Sequence, residues 1–508
     1  MMLMKNQIIK LAGVAMACAV VSACDADFDN PISGNTGDPG TADLSKFVTI
    51  GDSITAGYAD NTLYLAGQEN SYPAILAQQF AAVGGDSNFT QPLVSDNLGG
   101  LLINGTQVFD TRLVLDLTDP TSPSTVNIAG TPTIEAIGSG LNGTTFSNMG
   151  VPGAKSFHLG AAGYGNPLGL PDAANPYFTR FASDPATASI IGDAAVQAPS
   201  FYVMWIGNND VLSYATSGGS GVDQLGNLNP ATYGANDITD PTVFAGTYAS
   251  LVGAFTAANP AVQGVLVNIP DVSTIPYFTT VPYNAVPLDQ TNADALNAAY
   301  LGYNNGLLAA QGLGLIDAAE VAKRTITFVA GQNAVVIDVI NDVDITNLTA
   351  SLVPLPSYRQ ASAEDLLVLT TSSKIGTEMI PGNPATVWGL GVPLEDSDVL
   401  IPSEIAAIEA ARTAFNATIQ AAADADTSLI LVDAEAIMQE IRDTGIDYGT
   451  GAINADYATG GAFSLDGVHP TARGYAVVAN KIIEAINAGF GATIPAVNPG
   501  DYTTIFVQ

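Results

Sequence analysis

The chain has 508 residues, 47% of them hydrophobic, so it is long enough to bury a large core as a globular protein. Its 48 acidic residues face only 14 lysines and arginines, which gives a formal net charge of −34 at pH 7. Because a field of that sign repels nucleic acids and other polyanions, the composition excludes a nucleic-acid partner.

Residues 1–23 are predicted to be an export signal. Lys5 and Lys10 stand before and around the start of an apolar run, LAGVAMACAVV, and small residues follow it, which is the order of parts in a secretory signal. The run is shorter than the roughly 20 apolar residues that a membrane-spanning helix needs. The stretch VSAC resembles the lipobox of bacterial lipoproteins, which implies that Cys24 becomes the first mature residue and carries a lipid. The alternative is an ordinary signal peptide with a chance cysteine.

These features predict an exported protein that is attached to the bacterial cell envelope, at the outer membrane, by the lipid on Cys24. The membrane is then a partner through this anchor. Residues 24–43 are interpreted as the lipidated cysteine and a flexible tether, because DADFDNPISGNTGDPGTAD is rich in Asp, Gly, Pro and Asn and poor in apolar residues.

The remainder of the chain alternates apolar runs with helical stretches. The predicted strands are FVTI at 47–50, FYVMWI at 201–206, GVLVNI at 264–269 and SLILVDA at 428–434. The predicted helices begin near Ser71, run from Pro241 to Ala258, and run from about Thr471 to Ala488. Continuous apolar strands separated by helices indicate an α/β fold whose mostly parallel sheet is covered on both faces.

Two segments interrupt this alternation and are predicted to be insertions that cap the site, at about 86–143 and 276–402. They divide a domain predicted over 44–490, and residues 491–508 form a C-terminal extension. Within the second insertion, Asp338, Asp342 and Asp344 are close enough in sequence to suggest calcium, but they lack the spacing of a known loop. A solvated strand edge is the preferred interpretation, and no Cys/His cluster has zinc spacing.

Four short motifs follow one another along the chain: GDSITAG at 51–57, NMGVPG at 148–153, GNND at 207–210 and DGVHP at 466–470. Hydrolysis of an ester by a serine needs an activated hydroxyl, a base, a group that orients the base, and donors for the developing oxyanion. Ser53 in the first motif is the candidate nucleophile, because it follows a predicted buried strand and a glycine that permits a tight turn. By itself, GDS is more typical of a plain turn, because Gly, Asp and Ser are common loop residues.

The choice of base is narrow because the chain has only two histidines, His158 and His469. His469 follows Asp466 by three residues, a spacing that allows the carboxylate to orient one imidazole nitrogen while the other faces Ser53. A capping aspartate beside a surface histidine is the alternative. His158 lies in a glycine-rich loop without a nearby carboxylate, so it is interpreted as structural or substrate-facing.

The oxyanion donors are expected from three places. The Asn209 side-chain amide donates without carrying charge, the Gly153 backbone N–H is unobstructed by a side chain, and the third is the N–H of Ser53. The alternative roles of Asn209 and Gly153 are those of ordinary turn and loop residues.

In this order the motifs resemble the four blocks of the GDSL, or SGNH, hydrolase superfamily, which contribute Ser, Gly, Asn and His. Here these are Ser53, Gly153, Asn209 and His469, with Ile54 where leucine is usual. The resemblance covers about 44–85, 145–275 and 403–490. It implies a three-layer α/β/α sandwich of flavodoxin-like type and serine esterase or lipase activity without a metal or other cofactor.

The expected function is that of an exported carboxylesterase or lipase, and its expected partner is a small-molecule or lipid ester. Two alternatives stay open: an O-acetyl esterase that acts on glycans, and a surface lipoprotein that binds glycan or lipid without catalysis. The sequence leaves the natural substrate, the acyl length and the oligomeric state open.

Overall fold

The computed structural model describes residues 37–119, 123–339, 343–351 and 353–507. The predicted export signal, Cys24 and residues 25–36 of the predicted tether lie outside the described residues, as does Asp342. Within the described ranges, no helix has both the length and the apolar composition that crossing a bilayer requires.

The centre of the protein is a five-stranded sheet in which all neighbouring strands are parallel. In chain order its strands are Phe47–Gly51 (β1), Asn148–Gly150 (β2), Phe201–Trp205 (β3), Gln263–Val267 (β4) and Leu429–Val432 (β5). Their spatial order is β5-β4-β3-β1-β2, so the sheet grows in opposite directions from β1. Such a switch point opens a crevice beyond the carboxyl ends of the strands. The predicted α/β architecture with a parallel central sheet is confirmed; β2 was not predicted.

The described residues contain fourteen α-helices; Tyr72–Ala82, Pro241–Ala258 and Ala472–Phe490 correspond to predicted helices, whereas Pro402–Asp424 was not predicted. The fourteen helices are Ser53–Ala56 (α1), Leu65–Glu69 (α2), Tyr72–Ala82 (α3), Pro176–Thr179 (α4), Ile190–Ala195 (α5), Asn209–Thr216 (α6), Pro241–Ala258 (α7), Pro276–Thr279 (α8), Gln290–Gly312 (α9), Ala318–Arg324 (α10), Ile345–Leu348 (α11), Pro402–Asp424 (α12), Ala434–Asp443 (α13) and Ala472–Phe490 (α14). Helix α7 begins at its proline because Asp240 accepts hydrogen bonds from the N–H groups of Thr242 and Val243.

Helices cover both faces of the central sheet. Successive residues of a strand point to opposite faces, and β3 shows this directly. Phe201, Val203 and Trp205 pack into an apolar cluster with α3 and α14, whereas Tyr202 and Met204 pack into a second cluster with α7 and α12. The strands are therefore buried on both sides, which explains their continuous apolar sequences.

Both predicted insertions fold outside the central sheet. The other strands of the described residues pair as two-stranded antiparallel sheets: Gly99–Ile103 with Thr106–Thr111, Leu113–Asp116 with Ser124–Asn127, Val286–Leu288 with Gly331–Asn333, Val336–Asp338 with Tyr358–Gln360, Leu366–Leu367 with Val399–Leu400, and Ile446–Asp447 with Ala452–Ile453. The second insertion also has an apolar cluster of its own, which includes Ile337, Leu367 and Leu394.

The segment just before the sheet is packed onto the protein, contrary to its predicted role as tether. The Thr41 N–H donates to the Phe490 carbonyl (2.9 Å), and the Thr493 N–H donates to the Asp38 carbonyl (2.8 Å). Ala42 is buried. The predicted start of the domain at residue 44 is therefore too late, because the last residue of α14 and the extension after it supply hydrogen-bond partners that are distant in sequence.

Candidate active site

Five residues that the sequence predicted to form an active site line one pocket: Ser53, Gly153, Asn209, Asp466 and His469. The pocket has a volume of about 410 Å³, a size typical of small-molecule sites. The first three follow β1, β2 and β3, whose carboxyl ends share one edge of the sheet. The other two come from the loop before α14. The topology thus brings together residues from four separate parts of the chain.

The turn that carries Ser53 depends on Gly51. A Cβ at Gly51 would lie 2.2 Å from Thr55 Oγ1 and 2.3 Å from the Trp205 carbonyl oxygen, so only glycine lets α1 and β3 approach this closely. As a result, the chain turns directly from β1 into α1. Ser53 is the first residue of that helix and its side chain faces the pocket.

Asp52 joins this turn to the segment after β3. One carboxylate oxygen accepts a hydrogen bond from the Ile54 N–H (3.0 Å), and the other accepts one from the Asn208 side-chain amide (2.9 Å). Burial raises the pKa of Asp52 to about 6, although the hydrogen bonds from Asn208 and Ile54 oppose the rise. The contact holds Ser53 at a fixed position relative to Asn209, the residue that follows Asn208.

Ser53, His469 and Asp466 form a continuous hydrogen-bonded series. His469 Nε2 lies 2.8 Å from Ser53 Oγ, although the two residues are 416 positions apart in sequence. His469 Nδ1 lies 2.8 Å from Asp466 Oδ2. The carboxylate therefore fixes the proton on Nδ1 and leaves Nε2 to accept the serine proton, the arrangement by which an imidazole activates a hydroxyl.

Asp466 is held in its ionised form. Burial by itself would raise the pKa of Asp466, but the charge of His469 and hydrogen bonds from His469 and Val468 outweigh it and lower the pKa to about 2. The Val468 and His469 N–H groups donate to Oδ1 at 2.9 and 2.8 Å. The tight DGVHP loop thus supplies both the carboxylate and the donors that stabilise its charge.

A second group of contacts, not predicted from the sequence, supports Asp466. The Asn61 N–H donates to Asp466 Oδ2 (3.1 Å), and the Ser464 hydroxyl donates to Asp466 Oδ1 (2.9 Å). The Asp60 N–H donates to Ser464 Oγ (3.0 Å), and the Asp60 carboxylate accepts from the Leu465 N–H (3.1 Å). Asp60 and Asn61 have φ values of 51° and 64°, a conformation that Asp and Asn tolerate better than most residues. The Asp–Asn pair was a sequence signal for a local turn, but not for a contact with Asp466.

The three predicted oxyanion donors border the same pocket. Gly153 has φ of +79°, a left-handed conformation that favours glycine. The Asn209 amide donates one hydrogen bond to the Ala154 carbonyl (3.0 Å), which leaves its second N–H available. Among the hydrogen bonds of the described residues, the N–H groups of Ser53 and Gly153 have no protein acceptor.

Asp210 clamps the Gly153 loop to α6. Its buried carboxylate accepts two hydrogen bonds from Ser156, one from the N–H (2.8 Å) and one from the hydroxyl (2.7 Å). Because Asp210 follows Asn209 and Ser156 lies three residues after Gly153, these contacts fix the two predicted donors relative to each other. The last residue of GNND therefore has a structural role that the sequence did not reveal.

His158 lies in a different environment from His469. Its Nδ1 accepts a hydrogen bond from the Lys155 N–H (3.1 Å), and its ring stacks on Tyr164 at a centroid distance of 4.4 Å. Burial, together with the charge of Lys155, lowers the pKa of His158 to about 3. His158 does not line the pocket that contains Ser53. This position favours the predicted structural role over the predicted substrate-facing role.

Aromatic residues of the pocket were also missed by the sequence analysis. Tyr58, Phe109, Tyr177 and Tyr277 line it together with the predicted residues. Phe109 comes from the hairpin of the first insertion and Tyr277 from α8, at the start of the second. Each predicted insertion thus contributes one residue to the lining of this pocket. Which of their residues do so depends on long-range packing and had no local signal.

The described residues contain no group of three His, Cys, Asp or Glu side chains placed to hold a metal ion. Asp344, considered as a calcium ligand, instead caps α11 by accepting a hydrogen bond from the Thr346 N–H (2.9 Å). Comparisons with protein-family models, with curated proteins and with solved structures found no match to this chain.

Proposed function

We propose that the protein is a serine ester hydrolase. The observation that carries this proposal is the pair of 2.8 Å contacts that join Ser53 to His469 and His469 to Asp466 inside an accessible pocket. A hydroxyl, an imidazole and a buried carboxylate in this order form the constellation that recurs on unrelated folds for acyl transfer. Such sites are recognised by geometry and by the role of each group.

In the proposed reaction, Ser53 Oγ attacks the carbonyl carbon of the ester and His469 Nε2 takes the hydroxyl proton. The tetrahedral intermediate collapses as the bond to the alcohol oxygen breaks, and His469 returns the proton to that oxygen. Water then attacks the acyl-serine with His469 again as base, which releases the acid and restores Ser53. Asp466 fixes the imidazole tautomer and stabilises its positive charge.

The negative charge of the intermediate is proposed to be stabilised by the N–H groups of Ser53 and Gly153 and by the free N–H of the Asn209 amide. The contacts of Asp210 and Asp52 support this assignment, because they fix the three donors relative to one another. No reorganisation of the site is then required as charge develops.

Replacing Asn209 with alanine is expected to lower kcat by about 100- to 1000-fold, the usual loss for one oxyanion donor, and to change KM little. The measurement is steady-state hydrolysis of p-nitrophenyl butyrate. Asn209→Asp is the matched variant: it is isosteric but places a carboxylate near the oxyanion, so it is expected to lose at least as much. A loss confined to KM in both variants would contradict the assigned role.

A fluorophosphonate probe tests the proposed function directly. Its phosphorus forms a bond to an activated serine oxygen as fluoride leaves, so the folded protein is expected to be labelled at a single peptide containing Ser53. The Ser53→Ala variant is expected to stay unlabelled. If the folded wild-type protein is not labelled, the hydrolase proposal fails and a surface binding protein becomes the better interpretation.

We also propose membership in the GDSL, or SGNH, hydrolase superfamily. The four motifs support it, and so does the sheet order, which read from the other edge is β2-β1-β3-β4-β5, the flavodoxin-like order. The proposed location is outside the cytoplasm, with a lipid on Cys24. Since residues 38–43 already pack on the domain, only residues 25–37 would separate that lipid from the packed protein.

A further inference from the structure

One wall of the pocket is a row of aromatic rings that leads from His469 towards the protein surface. The Tyr58 ring centroid lies 4.7 Å from that of His469, and the Tyr177 centroid lies 6.2 Å from that of Tyr58. Phe109 stacks on Tyr177 at 5.7 Å with an interplanar angle of 15°. All four residues line the pocket. We call Tyr58, Tyr177 and Phe109 the aromatic wall.

Phe109 forms the outer end of the aromatic wall. It lies on the strand Thr106–Thr111 of the first insertion, and it is 40% exposed, whereas Tyr177 is 4% exposed. Its neighbour Val108 is 41% exposed and does not line the pocket, consistent with the alternation of side chains along a strand. The hairpin of the first insertion thus adds one large ring, that of Phe109, to a pocket that is otherwise lined mainly by residues outside this insertion.

Leu212, Ser213 and Thr216 of α6 also line the pocket, and the Tyr277 hydroxyl donates to the Thr216 carbonyl (3.3 Å). The lining of the pocket therefore combines aromatic rings with apolar and hydroxyl side chains. None of the described residues that line it is lysine or arginine. An anionic substituent on the substrate would therefore find no ion-pair partner there, whereas a neutral ring would find rings to stack on or meet edge-on.

We propose, on the basis of the proposed ester hydrolysis, that the aromatic wall binds a neutral aromatic ring carried by the substrate and that Phe109 is a specificity-determining residue. The row of rings begins beside the proposed nucleophile, because Tyr58 is next to His469 and His469 Nε2 lies 2.8 Å from Ser53 Oγ. The preferred substrates are then esters with an aromatic group a few bonds from the scissile carbonyl, on either its acyl or its alcohol side.

The test uses the whole protein and pairs of esters that distinguish the effect of an aromatic ring from that of an apolar group of similar size. Ethyl acetate has no ring, 2-phenylethyl and 2-cyclohexylethyl acetate vary the alcohol, and ethyl 3-phenylpropanoate and ethyl 3-cyclohexylpropanoate vary the acyl group. Hydrolysis is followed by acid release in a pH-stat. Chromogenic p-nitrophenyl esters are avoided because their alcohol is itself aromatic. The variants are Phe109→Ala, Phe109→Leu, which keeps apolar bulk without a ring, and the neighbouring control Val108→Ala.

The wild-type protein is expected to prefer the phenyl ester of at least one pair by about 2- to 10-fold in kcat/KM, the range of an aromatic pair beyond its buried area. Phe109→Ala and Phe109→Leu are expected to remove this preference mainly through KM, with a smaller loss on ethyl acetate than on the phenyl esters. Val108→Ala is expected to behave as the wild type.

Equal kcat/KM for phenyl and cyclohexyl esters in the wild-type protein would overturn the proposal. So would an equal loss on ethyl acetate and on the phenyl esters in Phe109→Ala, since that pattern indicates a role in packing alone. A protein that hydrolyses none of the five esters and is not labelled by a fluorophosphonate overturns the proposed hydrolase function itself, an outcome that is distinct from a change in ring preference.

Discussion

Replacing Ser53 with alanine is expected to abolish hydrolysis of p-nitrophenyl acetate, with a fall in kcat on the order of 10⁶-fold, and replacing His469 with alanine is expected to cost about as much. The two losses are alike because the groups act as one unit. Without the 2.8 Å contact between Nε2 and Oγ, the serine keeps its proton and remains a poor nucleophile. The double variant is therefore expected to be no worse than either single one.

His158→Asn is the matched control for the histidine variant. The asparagine oxygen can accept the Lys155 N–H bond that His158 Nδ1 accepts, so the loop around residue 158 is expected to keep its structure. Most of the activity is expected to remain, because His158 is outside the pocket and burial keeps its imidazole neutral. If His158→Asn removes activity while His469→Ala retains it, the proposed base is wrong.

The second large effect is expected for Asp466→Asn, which should lower kcat by about 10⁴-fold with the fold retained. The carboxylate accepts hydrogen bonds from the N–H groups of Asn61, Val468 and His469, from the Ser464 hydroxyl and from the imidazole. An asparagine turns an NH₂ group towards some of these donors. Its amide oxygen no longer selects the Nδ1 proton reliably, so the tautomer with a free Nε2 is lost.

Asp456→Asn is the control for the charge change, since Asp456 is an exposed carboxylate in the same segment before α14. It is expected to leave both kcat and the thermal midpoint unchanged.

Because the pKa of Asp466 is about 2, the ionised form persists well into acid solution. Its stabilising contribution is fully present above the ordinary carboxyl pKa and is lost only as the pH falls towards 2. A rate loss in Asp466→Asn that merely parallels unfolding would contradict its orienting role.

Most strands of the central sheet and several of the long helices were predictable because their signals are local. Four of the five sheet strands were identified from continuous apolar runs, which arise because both faces of the sheet are covered. The helix at Pro241–Ala258 was identified at both ends. An aspartate and a proline mark its start. The strand Asn148–Gly150 was missed, because three residues are too few to show a pattern.

The parts of the site that were missed depend on contacts between distant segments. Nothing around Asp60 or Asn61 indicates that they meet the 464–466 segment, and nothing around Phe109 indicates that it stacks on Tyr177. The predicted tether was too long for the same reason: residues 38–43 contain no apolar run, but their hydrogen-bond partners come from the end of α14 and the extension after it.

The sequence by itself determined which residue types are available for chemistry. Two histidines, only one of them near a carboxylate, left a single strong candidate for a base, and strand-ending motifs marked the candidate nucleophile and donors. Tertiary structure alone decided that these groups meet within hydrogen-bonding distance and what surrounds them. The physical reason is that side-chain chemistry and local conformation are properties of short segments, whereas the position of one segment against another follows from the packing of the whole core.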